Sequence, residues 1–186
     1  MRYISKFLLW ITGWKVISGV VPVPKCIVLG VPHTSLWDFV VSWLFYKSVG
    51  GNPNILVNKK FFFWPMRYLL NYMGAIPVDT LKGASSLKQI INEFKTREVL
   101  HLAIAPEGTR KPTAKWKGGF HAISRLAKIP VYFAVFDWGR KEIGVIGTIE
   151  LTKDMEADML RIKQWYKTRG VVGKHPEKFI LGDGLD

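Results

Sequence analysis

His33 and Asp38 stand five residues apart in Val31-Pro-His-Thr-Ser-Leu-Trp-Asp-Phe39. An imidazole and a carboxylate that meet can do general-base work. The carboxylate fixes the ring tautomer and stabilises the imidazolium, while the other ring nitrogen takes a proton from a hydroxyl. Residues five apart do not share a face of a continuous helix. They meet only if the histidine lies ahead of a helix cap and the aspartate reaches back over the first turn. Ser35 and Asp38 form an S-x-x-D pattern, a carboxylate variant of the capping box, so Ser35 is the expected N-cap and Asp38 the N3 residue. The same pattern also fits an aspartate that only caps its helix, with His33 a plain loop residue. No serine or cysteine nucleophile is evident beside the pair, so direct attack by a bound alcohol is the natural chemistry. Through residue 80 the chain has eight Lys and Arg but only two carboxylates, Asp38 and Asp79. One of the two scarce acids falls in this loop.

A second group of chemical residues is Ala105-Pro-Glu-Gly-Thr-Arg-Lys-Pro112. It places a carboxylate, a flexible glycine, a hydroxyl and a guanidinium in one turn. Gly108 permits close backbone approach to a ligand, and Arg110 can grip a phosphate with two parallel hydrogen bonds. Glu107 either orients Arg110 through an ion pair, the favoured reading, or touches substrate itself. After Glu107 no acid occurs until Asp137, while Arg110, Lys111, Lys115, Lys117, Arg125 and Lys128 intervene, with Trp116 and Phe120 among them. That stretch attracts anions. A solvated basic face or a nucleic-acid patch would look the same.

The elements that must position these loops follow from short apolar runs alternating with helical patterns. Strands are expected at Cys26–Val31, Ile55–Val57, Ala75–Val78, Leu100–Ala105, Val131–Phe136 and Ile143–Ile149. Helices are expected at Ser35–Lys47, Trp64–Tyr72, Ser86–Lys95, Gly119–Ala127 and Asp154–Lys167. The alternation predicts an α/β fold: a single layered domain with a mostly parallel or mixed central sheet flanked by helices. Ligands of such sheets gather beyond the carboxyl ends of the strands, which is where both loops fall.

The 186 residues suffice for one domain with a core. Hydrophobic residues at 48% and aromatics at 13% exclude a disordered chain. The lone Cys26 excludes an intrachain disulfide framework and a cysteine-built zinc site. His33, His101, His121 and His175 lack metal-ligand spacing, so no metal is expected. A net charge of +13 calls for an anionic partner, and the eight Trp tilt the choice toward a lipid interface. The apolar run Phe7–Ile11 is far shorter than the ~20 residues of a spanning helix. Residues 2–18 read instead as a basic, aromatic-rich helix, with Arg2, Lys6 and Lys15 flanking Phe7, Leu8, Trp10, Ile11 and Trp14. This divides the chain into an N-terminal amphipathic helix over 1–20, either a membrane anchor or a first packed helix, and a catalytic domain over 21–186. The run Phe61–Leu70, broken by Pro65 and Arg67, cannot span a bilayer; it could line an apolar groove or dip into lipid, but core packing is the default expectation.

His33-Thr-Ser-Leu-Trp-Asp38 followed by Glu107-Gly-Thr-Arg110 resembles the glycerolipid acyltransferase family, as represented by 1-acylglycerol-3-phosphate acyltransferases. Gly74-Ala-Ile-Pro-Val-Asp-Thr80 and Lys128-Ile-Pro-Val131 resemble two further family motifs, in the expected order, and the likeness continues through Trp116-Lys-Gly-Gly-Phe120. The whole is most similar to a short prokaryotic branch without long membrane helices. The resemblance implies acyl transfer from acyl-CoA or acyl-carrier protein, as co-substrate and with no further cofactor, to a hydroxyl of a phospholipid precursor such as 1-acylglycerol-3-phosphate. His33 would be the base and Asp38 its orienting partner. Glu107, Gly108, Thr109, Arg110, Thr80, Lys82 and Lys117 would bind substrate. Thr80 stands where the family usually has an arginine, so an acceptor other than lysophosphatidic acid stays open. Pro32 stands where an asparagine is frequent, and Pro130 is a single proline where two are expected.

The implied partners are the thioester donor, the lipid acceptor and an anionic membrane surface, with the protein peripheral on the cytoplasmic face. Nucleic acid is not expected as a partner: a basic nucleic-acid module would share the charge, but it leaves both loops unexplained. An acyl-CoA thioesterase, using water in place of the alcohol, is the nearer alternative.

Overall fold

The computed structural model describes residues 1–79 and 83–186. Helices α1 (Arg2–Ile11), α2 (Leu36–Ser48), α3 (Met66–Tyr72), α4 (Gly83–Thr96), α5 (Gly119–Ala127) and α6 (Met155–Arg169) are interleaved with strands. The strands are β1 (Lys15–Val16), β2 (Lys25–Val31), β3 (Pro53–Asn58), β4 (Ala75–Val78), β5 (Leu100–Ile104), β6 (Val131–Asp137) and β7 (Glu142–Ile149). Among the described residues the strands form one sheet in the order β1-β7-β6-β2-β5-β3-β4. The β6–β7 pair is antiparallel and the other pairs are parallel. This is the expected α/β layered fold with a mostly parallel, mixed sheet.

β2 lies at the centre, paired in parallel with β5 on one side and β6 on the other. Six of its seven residues are buried, as a strand covered on both faces requires. On one face Ile27, Leu29 and Val31 of β2 join Leu100 and Leu102 of β5 and Phe133 of β6. They pack against Ile90 and Phe94 of α4, Phe120 of α5, and Ile162 and Tyr166 of α6. The other face is closed by Leu9 of α1 and Val41, Phe45 and Tyr46 of α2. Each such side chain contributes roughly 1.5–3 kcal/mol by leaving water, so the loops at the strand ends stand on a rigid base. Tyr166 is wholly buried, and its hydroxyl reaches the carbonyls of Leu29 (2.8 Å) and Ala134 (3.1 Å). It pins α6 across β2 and β6 near their carboxyl ends.

Several elements differ from the sequence pattern. The helix expected over residues 2–18 stops at Ile11, where the Thr12 hydroxyl donates to the Leu8 carbonyl at 2.7 Å. Trp14 is therefore off the helix; it is buried in the core, and Lys15–Val16 joins the sheet beside β7. α3 begins at Met66 rather than Trp64, because a residue preceding proline is pushed out of the helical region. The expectation that Phe61–Leu70 fills the core is overturned. Phe61, Phe63, Trp64, Tyr68, Leu69 and Tyr72 are exposed, and α3 buries no residue. α4 starts three residues earlier than its apolar spacing indicates, at Gly83 rather than Ser86.

Candidate active site

The loop after β2 folds as its local chemistry demands. Ser35 adopts extended backbone at the N-cap of α2, and its hydroxyl accepts the Trp37 amide at 3.2 Å. Asp38 reaches back over the first turn and accepts the amides of Ser35 and Thr34, both at 2.7 Å on Oδ2. Asp38 is thus a cap, with its carboxylate near the partially positive helix start. It is also more than a cap. The Nδ1 atom of His33 faces the same Oδ2 at 3.7 Å, an electrostatic contact longer than a hydrogen bond. The other oxygen, Oδ1, accepts the indole N–H of Trp138 at 2.7 Å. The carboxylate is completely buried, whereas the His33 side chain is one-quarter exposed. One end of the imidazole is directed at a fixed anion and the other is open to an incoming group.

Glu107 comes from the loop after β5, the parallel neighbour of β2, and enters the same cluster. Its Oε1 accepts the backbone amide of His33 at 2.8 Å. Among the described residues it makes no ion pair with Arg110, so the expectation that Glu107 orients Arg110 gives way to a different role: it braces the histidine loop. The reason is burial. Glu107 is only 6% exposed while Arg110 lies at the surface, and a buried carboxylate takes the nearest buried donor. Burial lifts the Glu107 carboxyl to a pKa of about 7, the His33 amide pulling down and the Asp38 charge adding to the rise. Its Oε2 is buried with no hydrogen-bond partner among the described residues, consistent with a group that carries a proton near neutrality.

Burial also lowers the basicity of His33; the Asp38 charge opposes this and the Arg110 charge adds to it. The net shift is downward, so the imidazole is neutral at pH 7 and able to accept a proton. Gly108 turns the loop at φ +64°, and a Cβ there would meet the Lys117 side chain at 2.6 Å. The position therefore needs glycine for its conformation, while the flexible Lys117 stem that covers it could move aside. The Lys117 amide donates to the Pro106 carbonyl at 2.7 Å, tying the basic segment to the same turn. The Thr109 hydroxyl accepts the Lys111 amide at 3.1 Å. Thr80 and Lys82 lie outside the described residues.

Backbone amides of the histidine loop, a natural place to seek donors for a developing oxyanion, are already committed. His33 donates to Glu107, and Thr34 and Ser35 donate to Asp38. A negative charge forming beside His33 therefore finds none of these three amides free.

Two contributors carry no sequence signal. Trp138, 100 residues from Asp38, is one tryptophan of eight. The C-terminal stretch after α6 is the other. The His175 amide donates to the Thr34 hydroxyl at 3.2 Å, and a Cβ on Gly173 would meet Thr34 at 2.8 Å. The other two histidines with clear partners are structural. His101 is buried between the Tyr46 hydroxyl (2.5 Å) and the Val23 carbonyl (2.7 Å). His121 lies against Asp158 at 3.1 Å on the helical layer.

A family model described as acyltransferase matches residues 18–136. The fold is similar to the crystal structure of the 1-acyl-sn-glycerophosphate (LPA) acyltransferase PlsC from Thermotoga maritima. The TM-score is 0.62 at 16% sequence identity, over 91% of this chain and 76% of that one. No curated protein matches the chain.

Proposed function

The chain belongs to the acyltransferase family, and from that premise we propose that it moves a fatty acyl group from acyl-CoA or acyl-carrier protein to a lipid hydroxyl, the acceptor being a lysophospholipid such as 1-acylglycerol-3-phosphate. The observation that carries the mechanism is the part-exposed imidazole of His33, backed by a buried Asp38. The open nitrogen, Nε2, takes the proton of the acceptor hydroxyl as its oxygen attacks the thioester carbonyl. The tetrahedral intermediate collapses with loss of the thiolate, which recovers the proton from the imidazolium. Asp38 stabilises that imidazolium while it lasts. Arg110 serves the acceptor phosphate or the oxyanion, and Lys117, arched over Gly108, adds positive charge beside it. Support for a phosphorylated acceptor comes from the similar PlsC fold and from the acid-free basic segment that begins at Arg110.

The acyl chain and the product need access from lipid. α1 exposes Tyr3 (82%), Phe7 and Trp10 (73%) beside Arg2 and Lys6, and a hollow of about 480 Å³ lined by Arg2, Lys6 and Trp10 together with Val16 and Val49 includes neither His33 nor Asp38. A second apolar rim is closer to the chemistry. β3 runs parallel to β5, so the segment that follows it emerges at the edge that carries His33. There Phe61, Phe63, Trp64 (76%) and Tyr68 are exposed beside Lys59, Lys60 and Arg67, and Leu36 and Trp37 at the start of α2 are exposed as well. Among the described residues no helix is long and apolar enough to cross a membrane. Peripheral docking on the cytoplasmic face of an anionic leaflet fits this surface, each basic side chain near it adding about 1 kcal/mol.

A panel of lipid acceptors with labelled acyl-CoA and acyl-carrier protein, read by mass analysis of the lipid formed, tests the reaction. An acylated lysophospholipid is expected; free fatty acid produced without any acceptor would make the protein a thioesterase. Docking is tested by sedimentation with phosphatidylglycerol vesicles. Binding should be strong at low salt, weaken as salt rises, and fall in the Phe63→Ser, Trp64→Ser double variant; indifference to vesicle charge would refute it.

A further inference from the structure

We propose that Trp138 is a positioning residue for the reaction, holding the Asp38 carboxylate so that its Oδ2 faces His33. The inference rests on His33 being the base, as read above. β6 runs parallel to β2 and ends at Asp137, so Trp138 leaves the sheet at the edge that carries His33. Its indole N–H donates to Asp38 Oδ1 at 2.7 Å. A tryptophan can only donate, so this contact accepts one orientation of one oxygen and leaves Oδ2 for the Thr34 and Ser35 amides and the imidazole.

The indole is itself held from several sides. Its backbone amide donates to the Val172 carbonyl at 2.9 Å. The ring meets Trp14 edge-on, with centroids 4.9 Å apart. The ammonium groups of Lys141 and Lys174 each lie 4.7 Å from its centroid, and Lys174 also lies over Trp37 at 5.0 Å. Cations over a ring draw on its electron density, which makes the N–H a stronger donor. The segment around Val172, Gly173 and Lys174 thereby supports the reacting histidine through Trp138 on one side and through Thr34 on the other.

The electrostatic sign follows. A donor on Oδ1 disperses the carboxylate charge and weakens its pull on an imidazolium proton. Removing the donor concentrates that charge and raises the basicity of His33. The other charged groups facing the cluster are Glu107 and Arg110 from the β5 loop, Lys174 from the C-terminal segment and Lys141 from the turn after β6. On that same turn, Asp137 is paired with Arg140. None of these is altered by a change at position 138 that keeps the ring.

Trp138→Phe keeps an aromatic ring for Trp14 and the two lysines and deletes the donor together with the fused ring that carries it. Acyl transfer should show kcat reduced about tenfold, the size expected for one hydrogen bond to a charged group, with KM within about twofold of the parent. The acidic limb of the kcat/KM profile should move to higher pH. If the phenylalanine variant does not fold, benzothienylalanine at 138, which exchanges the indole N–H for sulfur, gives the same comparison. Unchanged kcat, or a lower Tm with the acidic limb unmoved, would reduce Trp138 to a packing residue and overturn the proposal. His33→Ala run in parallel separates the two levels. Activity surviving there defeats the base assignment; activity lost there but normal in Trp138→Phe defeats only the role of Trp138.

Discussion

Among the described residues two histidine–aspartate pairs stand out, and the better-bonded one is not the one proposed to do chemistry. His121 and Asp158 join α5 to the start of α6 at 3.1 Å, with both side chains buried. Asp158 also accepts the Thr152 amide (2.6 Å), the Thr152 hydroxyl (3.2 Å) and the Arg161 guanidinium (2.8 Å). Burial pushes its carboxyl up, but these bonds outweigh it and hold the group ionised below the usual range. Such a carboxylate is saturated with donors. His33 and Asp38 are 3.7 Å apart, one partner sealed and the other part-exposed at the carboxyl edge of the sheet. Short distance measures satisfaction. Reactivity requires one satisfied partner and one left open.

The comparison is broken most directly by alanine at each histidine. His33→Ala should lower kcat by about 10²–10⁴-fold, the ordinary contribution of a general base, and His121→Ala should leave kcat within a few-fold of the parent. The opposite ranking in an acyl-transfer assay would exchange the roles of the two pairs.

Next in size is the brace behind His33. Glu107 holds its proton to about pH 7 when folded but releases it near its ordinary 4.5 when unfolded. Its raised value therefore costs nothing below pH 4.5, and the penalty grows as pH rises from 4.5 to about 7 and is constant above that. Glu107→Gln keeps an acceptor for the His33 amide and removes the ionisation, so it should match the parent near pH 4.5. It should exceed it by ~3 kcal/mol at pH 8.5, as read by urea unfolding at the two pH values. Equal stability at both would mean that the carboxyl is not proton-linked.

The smallest effect sharpens the other side. Deleting the imidazole of His121 takes one of several donors from a buried carboxylate, and unfolding free energy should fall by roughly 1–3 kcal/mol. A loss below half a kilocalorie would show that Thr152 and Arg161 suffice for Asp158.

Much of the active loop was legible because it is local. The S-x-x-D spacing dictates the capping box at Ser35 and Asp38, and the box forms with both hydrogen bonds. Short apolar runs dictated the strands, and their alternation with helices dictated a mostly parallel sheet. Glu107 stood out in the sequence as a candidate site residue, but its partner did not, because the His33 amide that it holds lies in the loop after another strand. The apolar run over 61–70, for which the core is the default expectation, is exposed for the same kind of reason. Hydrophobicity says that a side chain gains by leaving water, not that the fold has room to bury it.

The sequence alone therefore determined which functional groups are present, which turn each occupies and which backbone pattern carries them, since capping, turn chemistry and periodicity act over a few neighbouring residues. The pairing of β2 with β5 and β6 decided everything else. It brought Glu107 beneath the histidine, Trp138 onto the carboxylate and the chain after α6 against Thr34. Those contacts are set by which strands share hydrogen bonds, a choice made by the packing of the whole core and written in no single stretch of residues.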